Sequence, residues 1–327
     1  MAHTGLTPYG ARQCQLAVLR RGQLPGPCNG LSARTLTAVG RQTSIPRLTL
    51  VDKAVSTEDS FAKYLFQGAD AAQFETVRIP LMHRPQDPKY VVCVSCQVGC
   101  ALGCAFCATG RLGPGRNLAA WEIVDQVVQV QADSAAPVRG VVFMGMGEPM
   151  LNYDRVISAA QILSEPCGLA IAGKAITIST AGVVPAIRRF TAQRQRYRLV
   201  VSLNAAEANQ RRQLMPIEKT YPLAELMDAL RAYHRVMRRR VILAWTMISG
   251  VNTRDEDARR LAELTRGLPI QLDLIDVNDP TGRFQPPSPA ELSRFRDALT
   301  ARLAMPVARR YSGGRDIHAA CGMLAGR

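Results

Sequence analysis

From residue 90 onward, short apolar runs alternate six times with amphipathic stretches, and this alternation limits the fold more than any other feature of the chain. The runs 90–94, 140–144, 175–179, 199–203, 241–245 and 272–276 have strand length and are rich in Val, Ile and Leu. Between and after them, 120–132, 154–163, 184–191, 221–236, 254–266 and 289–303 show helical spacing of apolar residues. Some of these have recognisable starts: Asp154 follows Asn152-Tyr153, and Thr253 precedes an acidic first turn. Strands separated by helices cannot pair as hairpins, so they align in parallel. The expected fold class is α/β, with a parallel sheet that is open or curled into a partial (β/α)6 barrel over residues 86–305. Barrel-type sheets place their chemistry at the C-terminal ends of the strands.

The flanks read differently. Residues 1–47 are rich in Gly, Pro, Arg and Thr and weakly periodic, which predicts a poorly ordered segment with a short helix around 12–21. Within 48–85, the runs 48–51, 63–66 and 74–79 predict a small N-terminal β extension leading into the main domain. Residues 306–327 are expected to form a C-terminal tail. There is no internal repeat and no low-complexity tract.

Nine cysteines are an odd number, and five of them crowd into residues 93–107. Clustered thiols in a long chain without a secretory signal bind metal or react more often than they form disulfides. Cys100, Cys104 and Cys107 follow the first strand of the alternation and precede a Gly-rich turn. Spacings of three and two residues let one loop present three thiolates to a single iron–sulfur cluster, leaving one iron without a protein ligand. A substrate with an amino and a carboxylate group, such as S-adenosylmethionine, can chelate that iron. Zinc is the competing reading, but structural zinc sites use two Cys pairs or a Cys/His set, and the nearest histidine is His83. Phe106, just before the third cysteine, either shields the cluster or packs into the core.

Longer stretches narrow the reading. The segment Cys93-Val-Ser-Cys-Gln-Val-Gly-Cys100, continued by Cys104-Ala-Phe-Cys-Ala-Thr-Gly110 and Arg116-Asn-Leu118, resembles the RlmN/Cfr family of radical-SAM RNA (adenine-C) methyltransferases. The likeness extends through Gly145-Met-Gly-Glu-Pro-Met-Leu-Asn-Tyr153, Ser179-Thr-Ala-Gly-Val-Val-Pro185, Arg211-Arg-Gln-Leu-Met-Pro216 and Gly250-Val-Asn252. It ends in Asp316-Ile-His-Ala-Ala-Cys-Gly-Met-Leu324 and so covers about residues 60–325.

That resemblance implies a partial barrel of the radical-SAM type holding one 4Fe-4S cluster on Cys100, Cys104 and Cys107. It also implies a reaction that consumes two molecules of S-adenosylmethionine. One methylates Cys321; the second is cleaved at the cluster, and its radical takes a hydrogen from the S-methyl group. The methylene adds to an adenine ring carbon, C2 more than C8, and Cys93 resolves the covalent adduct through a transient Cys93–Cys321 disulfide. Glu75 matches the family's proton acceptor. Gly147, Glu148, Ser179, Ser202, Leu203, Asn204 and Asn278 match its S-adenosylmethionine contacts, and all except Glu75 sit near the ends of expected strands. Implied partners are ribosomal RNA, with transfer RNA as a further substrate, and an electron donor such as flavodoxin; a monomer is the default.

Three departures from the family pattern stand out. Asn204 occupies the place of a His and can donate a hydrogen bond but not titrate near neutrality. Cys96 stands where a Ser is expected, and the N-terminal region shows no clear helical accessory domain. Charge agrees with a polyanionic partner: 41 Lys and Arg against 26 Asp and Glu leave a formal charge of +15. The same charge also suits an anionic membrane surface. The runs Arg188-Arg189, Arg194-x-Arg196 and Arg238-Arg-Arg240 are candidate phosphate contacts or plain solvated faces. No apolar run approaches the ~20 residues of a spanning helix, and a cytoplasmic location is expected. A related methylase acting on a small molecule or peptide is the runner-up, and a non-catalytic RNA-binding iron–sulfur protein is a reading of another class.

Overall fold

The computed structural model describes residues 6–28, 30–81 and 86–326; His83 lies outside them. Ten strands form one sheet in sequential order. The first four are β1 (Thr49–Val55), β2 (Ala62–Gln67), β3 (Gln73–Pro80) and β4 (Tyr90–Cys93). They pair antiparallel, so the N-terminal strands are continuous with the main sheet through pairs such as Val77 with Cys93. From β4 onward every pairing is parallel, through β5 (Val138–Phe143), β6 (Ile176–Thr180), β7 (Arg198–Ser202), β8 (Val241–Met247), β9 (Ile270–Asp276) and β10 (Val307–Arg310). Among the described residues no pairing joins β10 back to β1, and the sheet stays open.

The patterns explain the partition. In β2 alternate residues Ala62, Tyr64 and Phe66 are buried, as an antiparallel strand with one core face requires, whereas β8 is apolar almost throughout because helices and core cover both of its faces. The helices are α1 (Pro8–Arg21), α2 (Ala33–Gln42), α3 (Ala108–Arg111), α4 (Ala120–Ala132), α5 (Tyr153–Ser164), α6 (Val184–Ala192), α7 (Ala208–Leu214), α8 (Leu223–Met237), α9 (Asp255–Leu264) and α10 (Pro289–Arg302). The six expected alternations appear at their expected places. No helix is long and apolar enough to cross a membrane among the described residues.

Differences from expectation cluster at the flanks. Within residues 1–47 the described part forms two helices, not one short one. Their starts are set by caps rather than periodicity: Thr7 accepts the Gly10 N–H at 3.0 Å and Ser32 accepts the Thr35 N–H at 3.1 Å. Arg20 then ties α1 to the Gly168 carbonyl at 3.2 Å, and Arg47 pairs with Asp125 of α4. At the other end, β10 adds an edge strand beyond residue 305. Its two arginines hide its strand character, yet they lock it to β9, with Arg310 on Asp273 and Arg309 on Asp276, each at 2.6 Å. Arg194, Arg196 and Arg238–Arg240 are exposed but precede β7 and β8, so they lie at the N-terminal ends of those strands. Two of them serve the fold there: Arg196 donates to Ser164 Oγ at 2.6 Å, and Arg239 to the Arg196 carbonyl at 3.3 Å.

Candidate active site

After β4 the chain stays extended for a few residues before it turns. Val94 N–H bonds Val142, and Cys96 N–H bonds the Met146 carbonyl, each at 2.9 Å. The turn that follows carries Cys100, Cys104 and Cys107. It is fastened by Cys100 N–H to the Gly113 carbonyl at 2.8 Å and by Ala105 N–H to the Leu214 carbonyl at 2.9 Å. Cys107 opens α3 as its N-cap residue. The three thiols, with Phe106, line one cleft at the C-terminal ends of the parallel strands, with ≈ 970 Å³ of empty space, part of it open to solvent.

Burial pushes the Cys100 thiol up to about 11. It pushes Cys104 up as well, reinforced by the neighbouring Cys107 and Cys100 sulfurs. Among the described residues no three His, Cys, Asp or Glu side chains are arranged around a single metal ion. Three thiols spread round one cleft suit a multi-iron cluster, which takes one thiolate per iron. The donor set therefore fits a 4Fe-4S cluster.

The opposite wall comes from the strand ends. Gly147 follows β5 with φ +102, and a Cβ there would lie 2.6 Å from Gln97 Cβ, so only glycine allows this approach. Glu148 is buried; its Oε2 accepts the Ala181 N–H at 2.8 Å and its Oε1 the Met150 N–H at 3.0 Å. Burial raises its carboxyl despite those bonds. Ser179 and Ser202 line the same cleft from β6 and β7, and Asn278 does so after β9.

Two expected contacts stand behind this wall. Leu203 is fully buried, its N–H on the Ala244 carbonyl at 2.9 Å. Asn204 is also buried: its Oδ1 accepts the Thr246 N–H at 2.7 Å and its Nδ2 points to Met215 Sδ at 3.2 Å. Both Thr246 and Met215 line the cleft, so Asn204 acts on it through them. Its φ of 59 also accounts for Asn here, since Asn tolerates the left-handed region better than most residues.

The tail returns to the cleft. Cys321 is exposed into it, with Gly322 beside it. Cys93 and Cys321 line a second, smaller cavity together with Cys107. Burial, and next the charge of Cys321, raise the Cys93 thiol. All nine cysteines are free thiols. The tail docks on the cysteine loop through Ala108 N–H to the Gly322 carbonyl at 2.7 Å and Thr109 Oγ1 to the Leu324 carbonyl at 2.6 Å. Cys96 is buried behind the loop, consistent with a packing role.

Glu75 does not line this cleft. Its buried carboxylate pairs with Lys63 Nζ at 2.8 Å through Oε1. Its Oε2 accepts the N–H groups of Ala325 at 2.6 Å and Gly326 at 2.9 Å. It faces a separate pocket shared with Arg111, His318 and Met323.

Several contributors were given no role by the sequence. Gln97 accepts the Glu148 N–H at 2.7 Å and so sets the backbone of that motif. Arg211, which opens the family-like stretch 211–216, is fully buried and holds Glu218 at 2.7 Å and the Ala181 carbonyl at 2.6 Å. Asp276 lines the cleft with Oδ1 lacking a partner among the described residues.

Comparison with known proteins agrees with this geometry. Residues 94–264 match the family model described as the Radical SAM superfamily. A protein of Anaeromyxobacter sp. called "Probable RNA methyltransferase" is 51% identical over 324 residues, covering 99% of this chain and 95% of that protein. The "Dual-specificity RNA methyltransferase RlmN" of Syntrophobacter fumaroxidans is 40% identical over 98% of this chain and 92% of its own length. The crystal structure of a radical SAM methyltransferase from Sphaerobacter thermophilus superposes with a TM-score of 0.90 at 36% identity, covering 100% of this chain and 95% of that one. The chain is a radical-SAM methyltransferase and belongs to the RlmN/Cfr family.

Proposed function

We propose that this enzyme methylates a ring carbon of adenine in RNA, C2 rather than C8, with ribosomal RNA as substrate and transfer RNA as a second one. The observation that carries the reading is the meeting of Cys93, from the end of β4, and Cys321, from the tail, in one cavity beside Cys107. A radical enzyme that merely abstracted hydrogen has no need of two further thiols at that place. The names of its relatives, which specify RNA methylation, support the substrate class.

When bound, the cluster on Cys100, Cys104 and Cys107 would supply the electron that cleaves S-adenosylmethionine. Gly147 and Glu148 would meet the cofactor at the end of β5, where Glu148 keeps lone pairs for its ammonium group beyond those given to Ala181 and Met150. Ser179, Ser202 and Asn278 supply polar contacts along the strand ends, while Leu203 and Asn204 hold the wall behind them. Cys321 carries the methyl group and Cys93 resolves the enzyme–RNA adduct. Glu75 takes up the proton released from the adenine carbon once the substrate displaces residues 325 and 326 from its carboxylate. The chain acts as a cytoplasmic monomer reduced by a flavodoxin-type donor.

The test is incubation of anaerobically reconstituted enzyme with S-adenosylmethionine, reductant and unmodified cellular RNA, with Cys321→Ala in parallel. Nucleoside mass spectrometry should find C-methyladenosine with wild type alone, its retention matching the C2 standard. Formation of 5′-deoxyadenosine with no modified RNA transfers the chemistry to a small molecule or peptide and ends the RNA reading.

A further inference from the structure

The segment bearing Cys321 is tied to the end of β9 through one hydroxyl that no sequence motif singled out. Ser312 Oγ accepts the backbone N–H of Cys321 at 2.9 Å. The same oxygen lies 3.1 Å from Asn278 Nδ2, which also reaches the Cys321 carbonyl at 3.4 Å and the Asp276 carbonyl at 3.1 Å. With both nitrogens donating, the oxygen's lone pairs are taken, and the one remaining polar group is its own proton. Asn278 itself lines the cleft, and its Oδ1 has no partner among the described residues. One amide therefore stands between the cofactor cleft and the hydroxyl that holds the methyl acceptor.

We infer that Ser312 is a positioning residue for methyl transfer onto Cys321: oriented by Asn278, its hydroxyl fixes the Cys321 backbone and thereby holds the sulfur at the cleft. The inference rests on Cys321 being the methyl carrier. In the step concerned the thiol proton has left to water, and a sulfur lone pair of Cys321 attacks the methyl carbon of S-adenosylmethionine. The old S–CH₃ bond breaks with its electron pair returning to the cofactor sulfur, and S-adenosylhomocysteine departs. No external oxidant or reductant enters this transfer. Loss of a hydrogen bond that positions the attacking group slows such a step roughly tenfold.

The experiment compares wild type, Ser312→Ala and Ser312→Thr. Reconstituted enzyme is mixed with excess S-adenosylmethionine, and S-methylation is followed on the Cys321 peptide by mass spectrometry. Cofactor affinity is measured by equilibrium dialysis. In the cluster-free proteins, labelling of the same peptide by iodoacetamide gives a readout independent of turnover, and trypsin cleavage at the exposed Arg315 reports whether the segment stays docked. The expected result is slowed methylation in Ser312→Ala, with unchanged labelling, unchanged cofactor affinity and unchanged cleavage at Arg315, and recovery in Ser312→Thr. Equal methylation in wild type and Ser312→Ala overturns the inference while leaving Cys321 as the carrier. Slower methylation accompanied by faster cleavage at Arg315 and no recovery in Ser312→Thr also overturns it, in favour of a loosened fold. A wild-type Cys321 that is never methylated removes the methyl-carrier reading itself.

Discussion

The floor of the cleft and the tail that closes over it are built in opposite ways. The floor is embedded: Glu148 and Arg211 are buried, each satisfied by backbone groups, and Arg211 and Glu218 form an ion pair with side chains 1% and 2% exposed. The tail from Tyr311 to Gly326 includes exposed residues and is fastened at separate points, by Asp59, Asn278, Ala108, Thr109 and Glu75. A deeply packed floor fixes where the cofactor binds, since its groups cannot move without leaving buried charges unpaired. A tail held by a few hydrogen bonds, each worth about 1 kcal/mol, can leave and return. On the proposed function two jobs are thereby separated: cleaving the cofactor belongs to the floor, and delivering the methyl group to a bulky polyanion belongs to the tail.

The sharpest break of that contrast is Cys104→Ala, which removes one of the three thiols proposed to hold the cluster. Formation of 5′-deoxyadenosine, measured by chromatography after reconstitution, should fall to background, and iron content should drop with it. Arg211→Met comes next. It leaves Glu218 buried without its partner and should cost about 3–5 kcal/mol in denaturant unfolding. If it is tolerated, the floor is softer than described. Gly147→Ala forces a side chain into a φ of +102 against Gln97 Cβ and should cost roughly 1–3 kcal/mol, with weakened cofactor binding by equilibrium dialysis.

The smallest effect is expected on the tail. Thr109→Val deletes the bond to the Leu324 carbonyl and should cost about 1 kcal/mol locally. Limited proteolysis of the tail should speed up while the global Tm and uncoupled cofactor cleavage stay close to wild type. A large drop in Tm would mean that tail and floor form one cooperative unit.

This contrast also explains what the sequence revealed. The cysteine loop and the six strand–helix alternations are local and periodic, so residues 90–303 could be read from spacing. Gly147 and the strand-end serines came from the family resemblance, and the periodicity agreed only in placing them at strand ends. What remained hidden depends on contacts between distant segments. Nothing near Glu75 indicates that Ala325 and Gly326 will cover its carboxylate, and nothing near Ser312 points to Asn278. β10 was hidden because two arginines mask a strand whose partners are acids on β9. Arg211 shares in the family likeness, but its role shows only once its buried acceptors are known. Asn204 was placed in the cleft by likeness, whereas its left-handed backbone turns it toward Thr246 and Met215 behind the wall.

The central claim is that Cys93 and Cys321 act on opposite sides of one covalent enzyme–RNA adduct. Cys93→Ala should stop the reaction after the adduct forms. Reconstituted Cys93→Ala enzyme, incubated with S-adenosylmethionine, reductant and RNA and run on a denaturing gel, should yield an RNA-bearing protein band. After nuclease digestion its mass increment should map to Cys321, and the band should vanish in Cys93→Ala/Cys321→Ala. If Cys93→Ala instead turns over and releases methylated RNA at the wild-type rate with no adduct, the two thiols do not share a substrate and the account is wrong.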